Sequence, residues 1–365
     1  MNKTGFGFLR LPQKEDKSID YEAVNAMVDR YMELGGRYFD TAYTYLDGLS
    51  EEAVRRAVVE RHPRGSFVLC DKLPGYKFSS YEECRACFEE QLVRCGVDYF
   101  DIYLIHGLNE ENYAIAEAHD EFRLLRELKA DGRAGEIGFS YHDTPELLYR
   151  ILSAHPEVDI VLLQINYLDW KSESIRAEEC YTAAVKHGKK IMVMEPVKGG
   201  TLAELPREAE NILRGLRPED SAASWAVRFA TGLENVSVVL SGMNSMAQVE
   251  DNLRPMEPLT EAERNSLERC ADIIRSNTAV ACTGCGYCVQ GCPKSIPIPE
   301  YFSMYNEYKR SPGDDWKIQP AYAALAKAYA KASECIACRA CEAVCPQRLT
   351  VAQYMETVGK AFEQQ

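Results

Sequence analysis

Eight cysteines near the C-terminus constrain this chain more than any other feature. Cys282, Cys285, Cys288 and Cys292 stand at C-x-x-C-x-x-C-x-x-x-C, followed by Pro293. Cys335, Cys338, Cys341 and Cys345 repeat that spacing, followed by Pro346. Three thiolates spaced in this way wrap one face of an iron–sulfur cube, while the fourth, before proline, leaves the wrap and ligates the other cluster. The spacing therefore predicts two [4Fe-4S] clusters, one on Cys282, Cys285, Cys288 and Cys345. The other falls to Cys292, Cys335, Cys338 and Cys341. Zinc is the alternative, but zinc sites usually pair two C-x-x-C halves, which fits two sets of four poorly.

The segment between the motifs, Pro293 to Glu334, is too long for the short connection of a compact two-cluster ferredoxin. It contains YFSMYNEYKR and QPAYAALAKAYAKAS, rich in helix-favouring Ala, Leu and Lys, with a break at Pro312–Gly313. This part of the chain, 278–365, resembles an α-helical two-cluster ferredoxin module, which passes single electrons.

The chain has 365 residues, a prior of about two domains. Its net charge of −14 argues against nucleic acid, which needs a basic face to displace counterions, and disfavours anionic membranes. No apolar run reaches spanning length, and MNKTGFGFLRLPQ lacks a secretory apolar core, so a cytoplasmic protein is expected. In a reducing compartment, fourteen cysteines point to metal binding rather than disulfides. The six outside the motifs read as core. Cys84, Cys87 and Cys95 recur with Leu92 at helical spacing, and Cys70, Cys180 and Cys270 have apolar neighbours.

Residues 1–277 alternate short apolar runs with amphipathic segments, the pattern of a parallel α/β fold. Candidate strands are 6–10, 37–42, 66–72, 99–106, 135–140, 159–166, 190–196 and 236–242. Between them lie helical patterns such as DYEAVNAMVDRYMELG, capped by Asp20 and stopped at Gly35–Gly36. Eight such units predict a (β/α)8 TIM barrel, followed by the small all-α iron–sulfur domain. An open doubly wound sheet is the runner-up, but the first strand lacks the glycine-rich dinucleotide turn.

Chemistry in such a barrel sits at the carboxyl ends of the strands. Asp40 ends the second candidate strand, with Tyr45 in the loop beyond; Lys72 ends the third and His106 the fourth. Each alone has a bland explanation as a cap, a surface charge or a satisfied core histidine. Together they deliver a carboxylate, a phenol, an ammonium and an imidazole to one mouth. GFGFLRLP, FDTAYTY, the lysine of LCDKLP and the histidine of DIYLIH resemble the opening strand and catalytic tetrad of the aldo–keto reductase family. The likeness covers roughly residues 5 to 255. With the cysteine module, the whole resembles the iron–sulfur branch of that family.

The resemblance implies an oxidoreductase acting on a small carbonyl or alcohol. Tyr45 would protonate the developing alkoxide and Lys72 would ease ionisation of the phenol, whose free pKa is about 10. Asp40 would hold Lys72, and His106 would hydrogen-bond the carbonyl oxygen. The family takes hydride from a nicotinamide. Ser140 and His142 of GFSYHD, then Gln164 and Asn166 of LLQINY, stand where it holds the carboxamide. Met194 replaces the usual stacking aromatic, and Gly242 and Gln248 replace the cations for a 2′-phosphate, with Asn252 left for adenine. NAD(P) or a flavin is thus the expected organic cofactor, with NADP weakened more than NAD.

Hydride carries two electrons and a cluster one, so joining them needs a flavin or a substrate that survives as a radical. A nicotinamide or flavin could trade electrons with the clusters, or the clusters could feed a carbonyl directly. Alternatively, the clusters are structural or sensing in a plain carbonyl reductase. A non-enzymatic reading makes the chain an electron-transfer protein whose barrel docks a partner, with a ferredoxin-type carrier as the candidate.

Overall fold

Strand pairing follows chain order without a crossover. In the computed structural model, which describes residues 3–255, 257–310 and 315–363, eight parallel strands close a barrel. They are β1 Thr4–Gly7, β2 Tyr38–Asp40, β3 Val68–Leu73 and β4 Phe100–Leu108, then β5 Ala134–Tyr141, β6 Ile160–Gln164, β7 Lys190–Met194 and β8 Val236–Ser241. The closed barrel replaces the open-sheet alternative. The first strand lies earlier than expected, because its pairing with β8 runs through Thr4, Gly5 and Phe6 rather than through Leu9 and Arg10.

Side chains alternate across a strand, and here one parity points inward. Cys70, Ile102, Leu104, Ile160, Leu162, Met192, Val238 and Leu240 pack into one apolar plug. Two residues further along their strands the same face presents Lys72 on β3, His106 on β4, Gln164 on β6 and Met194 on β7. The barrel interior thus changes from hydrocarbon to mainly polar groups within one side-chain layer.

The surrounding helices begin where the sequence provides caps. The Asp20 carboxylate accepts from Ala23 N at 3.2 Å to start helix Tyr21–Glu33. Ser80 does the same for helix Tyr81–Cys95, which ends on left-handed Gly96. Cys84, Cys87, Leu92 and Cys95 of that helix are all buried, as are Cys70, Cys180 and Cys270.

Packing divides the chain into two units, Met1–Pro196 with Ala223–Thr260, and Val197–Ala222 with Glu261–Gln365. In the second unit, helices Ile298–Arg310, Asp315–Ala328 and Val351–Glu363 bury Tyr301, Phe302, Tyr305, Tyr322, Met355, Val358 and Phe362 in one core. The expected break at Pro312–Gly313 lies outside the described residues. Helix Arg207–Leu216 packs against helix Glu261–Ser276 in the same unit, where Arg217 and Glu263 pair at 2.5 Å. Among the described residues no helix is long and apolar enough to cross a membrane.

Candidate functional site

The Lys72 ammonium, fully buried, donates to both Asp40 oxygens at 2.7 Å and to the Thr41 carbonyl at 2.7 Å. Three charge-assisted bonds use all three of its protons. Burial works against the ammonium, but Asp40, followed by Cys70, outweighs it and holds Lys72 above the ordinary lysine value. Burial pushes the Asp40 carboxyl up, and Lys72 offsets part of that rise. Burial disfavours both charges, and it is their mutual attraction with the three 2.7 Å bonds that favours the ionised pair.

Above this pair stand two rings. Lys72 Nζ lies 4.8 Å from the Tyr45 ring centroid, and that ring meets the His106 ring edge-on at 5.8 Å. Tyr45 opens a short turn, Tyr45–Gly48, in which Leu46 and Asp47 are left-handed, at φ 51° and 54°. Such conformations cost a side-chain-bearing residue about 1–2 kcal/mol each and cluster at functional sites. Arg94 braces the turn: it donates to Gly48 O, lies 4.7 Å from the Tyr43 ring centroid and pairs with Glu51 at 2.8 Å.

The Tyr45 phenol is held well above its usual value, by burial first and then by Asp40, Cys70, Tyr76 and Asp71. The Lys72 ammonium beside it is paired with Asp40, so the phenol faces an ion pair rather than a bare cation. Tyr45 therefore retains its proton at neutral pH. His106 is held well below the ordinary histidine value by burial, then by Lys72, His142 and Lys77, and is a neutral imidazole. Its Nδ1 is buried without a hydrogen-bond partner among the described residues. Tyr76, which the sequence did not single out, closes this group with its ring 6.3 Å from His106.

The positions expected to hold a dinucleotide divide into groups. Ser140 Oγ accepts from Gly107 N at 2.7 Å, an arrangement that leaves its own proton to donate. His142, just past β5, is half-buried and acts on His106. Gln164 and Asn166 both donate to Asp169 Oδ2, at 2.8 Å each, so a carboxylate orients the two amides. Met194 is half-buried at the end of β7. Asn252 donates to Ser241 Oγ at 2.9 Å, and the Gln248 amide oxygen accepts from Asn244 N at 2.7 Å. Gly242 carries no charge, but Arg10 lies against it: a Cβ there would sit 3.4 Å from Arg10 Cδ. Arg10 pairs with Glu195 at 3.3 Å. Its lone place in LRLP gave no hint of this, because β1 and β8 become neighbours only when the barrel closes.

In the second unit, Cys282, Cys285, Cys288 and Cys345 line one cavity, with Ile298, Phe302 and Val351 among its walls. Cys292, Cys335, Cys338 and Cys341 line another, with Ile296, Ile298 and Met355. The fourth cysteine of each motif thus joins the other motif's trio. None of the fourteen cysteines is joined in a disulfide. The loops match in backbone as well as in spacing. Gly284 and Gly286 are left-handed where Ala337 and Arg339 are, and Ser295 matches Arg348. In the first of these turns Gly284 N donates to Cys282 Sγ at 3.4 Å. Four cysteines around an apolar cavity suit a cubane cluster. Lys198, buried, donates to Gln347 Oε1 at 3.0 Å, two residues beyond Cys345.

Residues 3–272 match the aldo/keto reductase family, and residues 281–350 match a 4Fe-4S dicluster domain. An uncharacterized oxidoreductase, YqkF, of Bacillus subtilis is 23% identical over 73% of this chain and 92% of its own length. An L-galactose dehydrogenase of Arabidopsis thaliana is 24% identical over 71% of this chain and 85% of its own. Among solved structures, an aldo-keto reductase from Klebsiella pneumoniae in complex with NADPH superposes with a TM-score of 0.60 at 20% identity. It covers 73% of this chain and 90% of its own. The holo form of an aldo-keto reductase from Bacillus halodurans gives 0.59 at 24%, over 73% and 91%. At these identities the structural likeness concerns the fold.

Proposed function

The chain belongs to the aldo/keto reductase family, and from that premise we propose that it reduces a small carbonyl, or oxidises the matching alcohol, at the barrel mouth. Electrons are exchanged with two [4Fe-4S] clusters held by residues 278–365. The observation that carries this reading is the ionised Lys72–Asp40 pair beneath the Tyr45 and His106 rings, at the point where the barrel interior turns polar.

Each residue has a separate task. A carbonyl oxygen gaining charge needs a proton, and the neutral Tyr45 phenol supplies it. The resulting phenolate lies beside the Lys72 ammonium, which Asp40 keeps in place. His106, neutral, donates a hydrogen bond to the same oxygen and orients the substrate. Ser140, His142, Gln164, Asn166, Met194, Gly242, Gln248 and Asn252 would hold the organic cofactor, with the Ser140 hydroxyl directed to an amide. A nicotinamide supplies hydride when bound, and a flavin divides an electron pair into single electrons. The Klebsiella pneumoniae neighbour's NADPH supports the former. The cysteines of the two motifs would hold two clusters, which would supply one electron each, with a ferredoxin-type carrier as their source.

The test is anaerobic. Protein with dithionite-reduced clusters, freed of excess reductant, is mixed with a catalytic amount of FMN and NAD(P)+ and a panel of aldehydes and ketones. Cluster absorbance should return as alcohol forms, with two electrons lost per alcohol, and Tyr45→Phe should stop both. Turnover driven by NAD(P)H that never alters the clusters' redox state would leave them outside the reaction.

A further inference from the structure

Behind the barrel mouth, between its helices, lies a group of side chains that the tetrad does not use. Cys84 stands in the first turn of helix Tyr81–Cys95. His119 and Glu121 flank the joint between helices Glu110–Ala118 and Glu121–Ala130. One ligand atom from each of the three lies within 4.8 Å of the others. The joint turns on Asp120, left-handed at φ 54°, and this conformation brings His119 and Glu121 to the same side. A residue other than glycine adopts it only when its surroundings require it.

Glu121 is the second, independent observation. Only 1% of its surface is exposed, and neither carboxylate oxygen has a hydrogen-bond partner among the described residues. His119 Nδ1 is likewise buried without one, 3.8 Å from Glu121 Oε1. A buried carboxylate without donors is among the costliest groups a core can hold. Burial alone pushes the Glu121 carboxyl up to about 8, and burial with Glu121 and Glu83 pushes the Cys84 thiol to about 12. The carboxylate also presses on the bare Cα of Gly75, where any Cβ would overlap it. A single cation would satisfy all three groups at once.

We propose that Cys84 Sγ, His119 Nδ1 and the Glu121 carboxylate bind one zinc-class divalent ion, distinct from the clusters. One thiolate, one imidazole and one carboxylate form a borderline-soft donor set that suits zinc rather than calcium or magnesium, which take oxygen ligands. Zinc bonds of about 2.0–2.3 Å place tetrahedral ligands about 3.3–3.8 Å apart, so the three groups need to close by only about 1 Å. Binding breaks the Cys84 S–H bond and releases that proton, together with any on Glu121, to solvent. His119 is partly exposed and provides the entry, and water takes the fourth position. The ion would fasten helix Tyr81–Cys95 to the joint at residues 119–121, whose Glu121 packs on Gly75 next to Tyr76, the ring against His106.

The experiment uses the full, anaerobically purified protein with its iron complete. It is exposed to zinc chloride, desalted and analysed for metals, with the zinc X-ray absorption edge recorded. About one retained zinc per chain is expected, with one sulfur and the rest nitrogen or oxygen in its shell. Cys84→Ser and Glu121→Gln should each lose the zinc while keeping the iron, and zinc should raise the melting temperature of the wild type alone. Gly75→Ala, which keeps all three ligand residues, should weaken retention by displacing the Glu121 carboxylate. No retained zinc, a four-sulfur shell, or zinc that survives both ligand variants overturns the proposal. If a variant fails to fold, the wild-type shell decides by itself.

Discussion

Asp40→Asn is the most exacting test of the tetrad, because it keeps the shape and removes one charge. Lys72 is fully buried and makes two of its three 2.7 Å bonds to that carboxylate. The substitution leaves a desolvated ammonium with the Thr41 carbonyl and an amide that offers one acceptor. Breaking a buried pair from one side costs about 3–5 kcal/mol. Lys72→Met should cost a similar amount, and the uncharged double variant far less than the sum, with a coupling of about 2–3 kcal/mol. Anaerobic urea unfolding would measure this in a Trp316→Phe background, where Trp170 and Trp225 report the barrel unit. Lys72, with its folded pKa raised, adds stability that is fully present below about pH 10.5. It is lost as pH rises through the higher folded value, so only proteins retaining the pair should show that alkaline loss. Single-variant costs below about 1 kcal/mol that simply add would refute the reasoning, since exposed pairs behave in that way.

Further outcomes concern Tyr45, the clusters and the dinucleotide. Tyr45→Phe should lower carbonyl turnover by about 10²–10⁴-fold with iron content unchanged. Because burial holds the wild-type phenol protonated, reduction should persist into alkaline solution while alcohol oxidation, which needs the phenolate, rises with pH; steady-state pH profiles in both directions check this. Wild-type protein should hold about eight iron and eight sulfide. Cys345→Ser should damage the cluster of Cys282, Cys285 and Cys288, and Cys292→Ser the other, as read by electron paramagnetic resonance of the reduced protein. Gly242 and Gln248 lack charge and Arg10 is paired with Glu195, so fluorescence titration should find NADH and NADPH within about tenfold in affinity.

Spacing carried the cysteine motifs, since a ligand set confined to short loops is written in consecutive residues. The tetrad was legible for a related reason: strand ends can be aligned by eye once eight apolar runs are found. Asp169, Arg10 and Tyr76 were not legible. Asp169 comes to hold Gln164 and Asn166 because the chain turns back after β6. Arg10 reaches Gly242 through the closure of β1 on β8. No periodicity marks a lone residue in a loop. The electrostatic state of Tyr45 was not legible either, because a sequence places Lys72 near the phenol without showing that Asp40 pairs with it.

By itself the sequence determined the barrel, the two cysteine groups and the four residue types at the mouth. These follow from local rules, the two-residue period of strands, the reach of a C-x-x-C loop and the caps at helix ends. Only the tertiary structure decided how those groups are charged and what they touch. Burial of Lys72 with Asp40, the protonated phenol above them and Glu121, unpartnered among the described residues, against Gly75 all depend on which distant segments exclude water from a given atom. That exclusion belongs to the closed fold and leaves no pattern in any single stretch of chain.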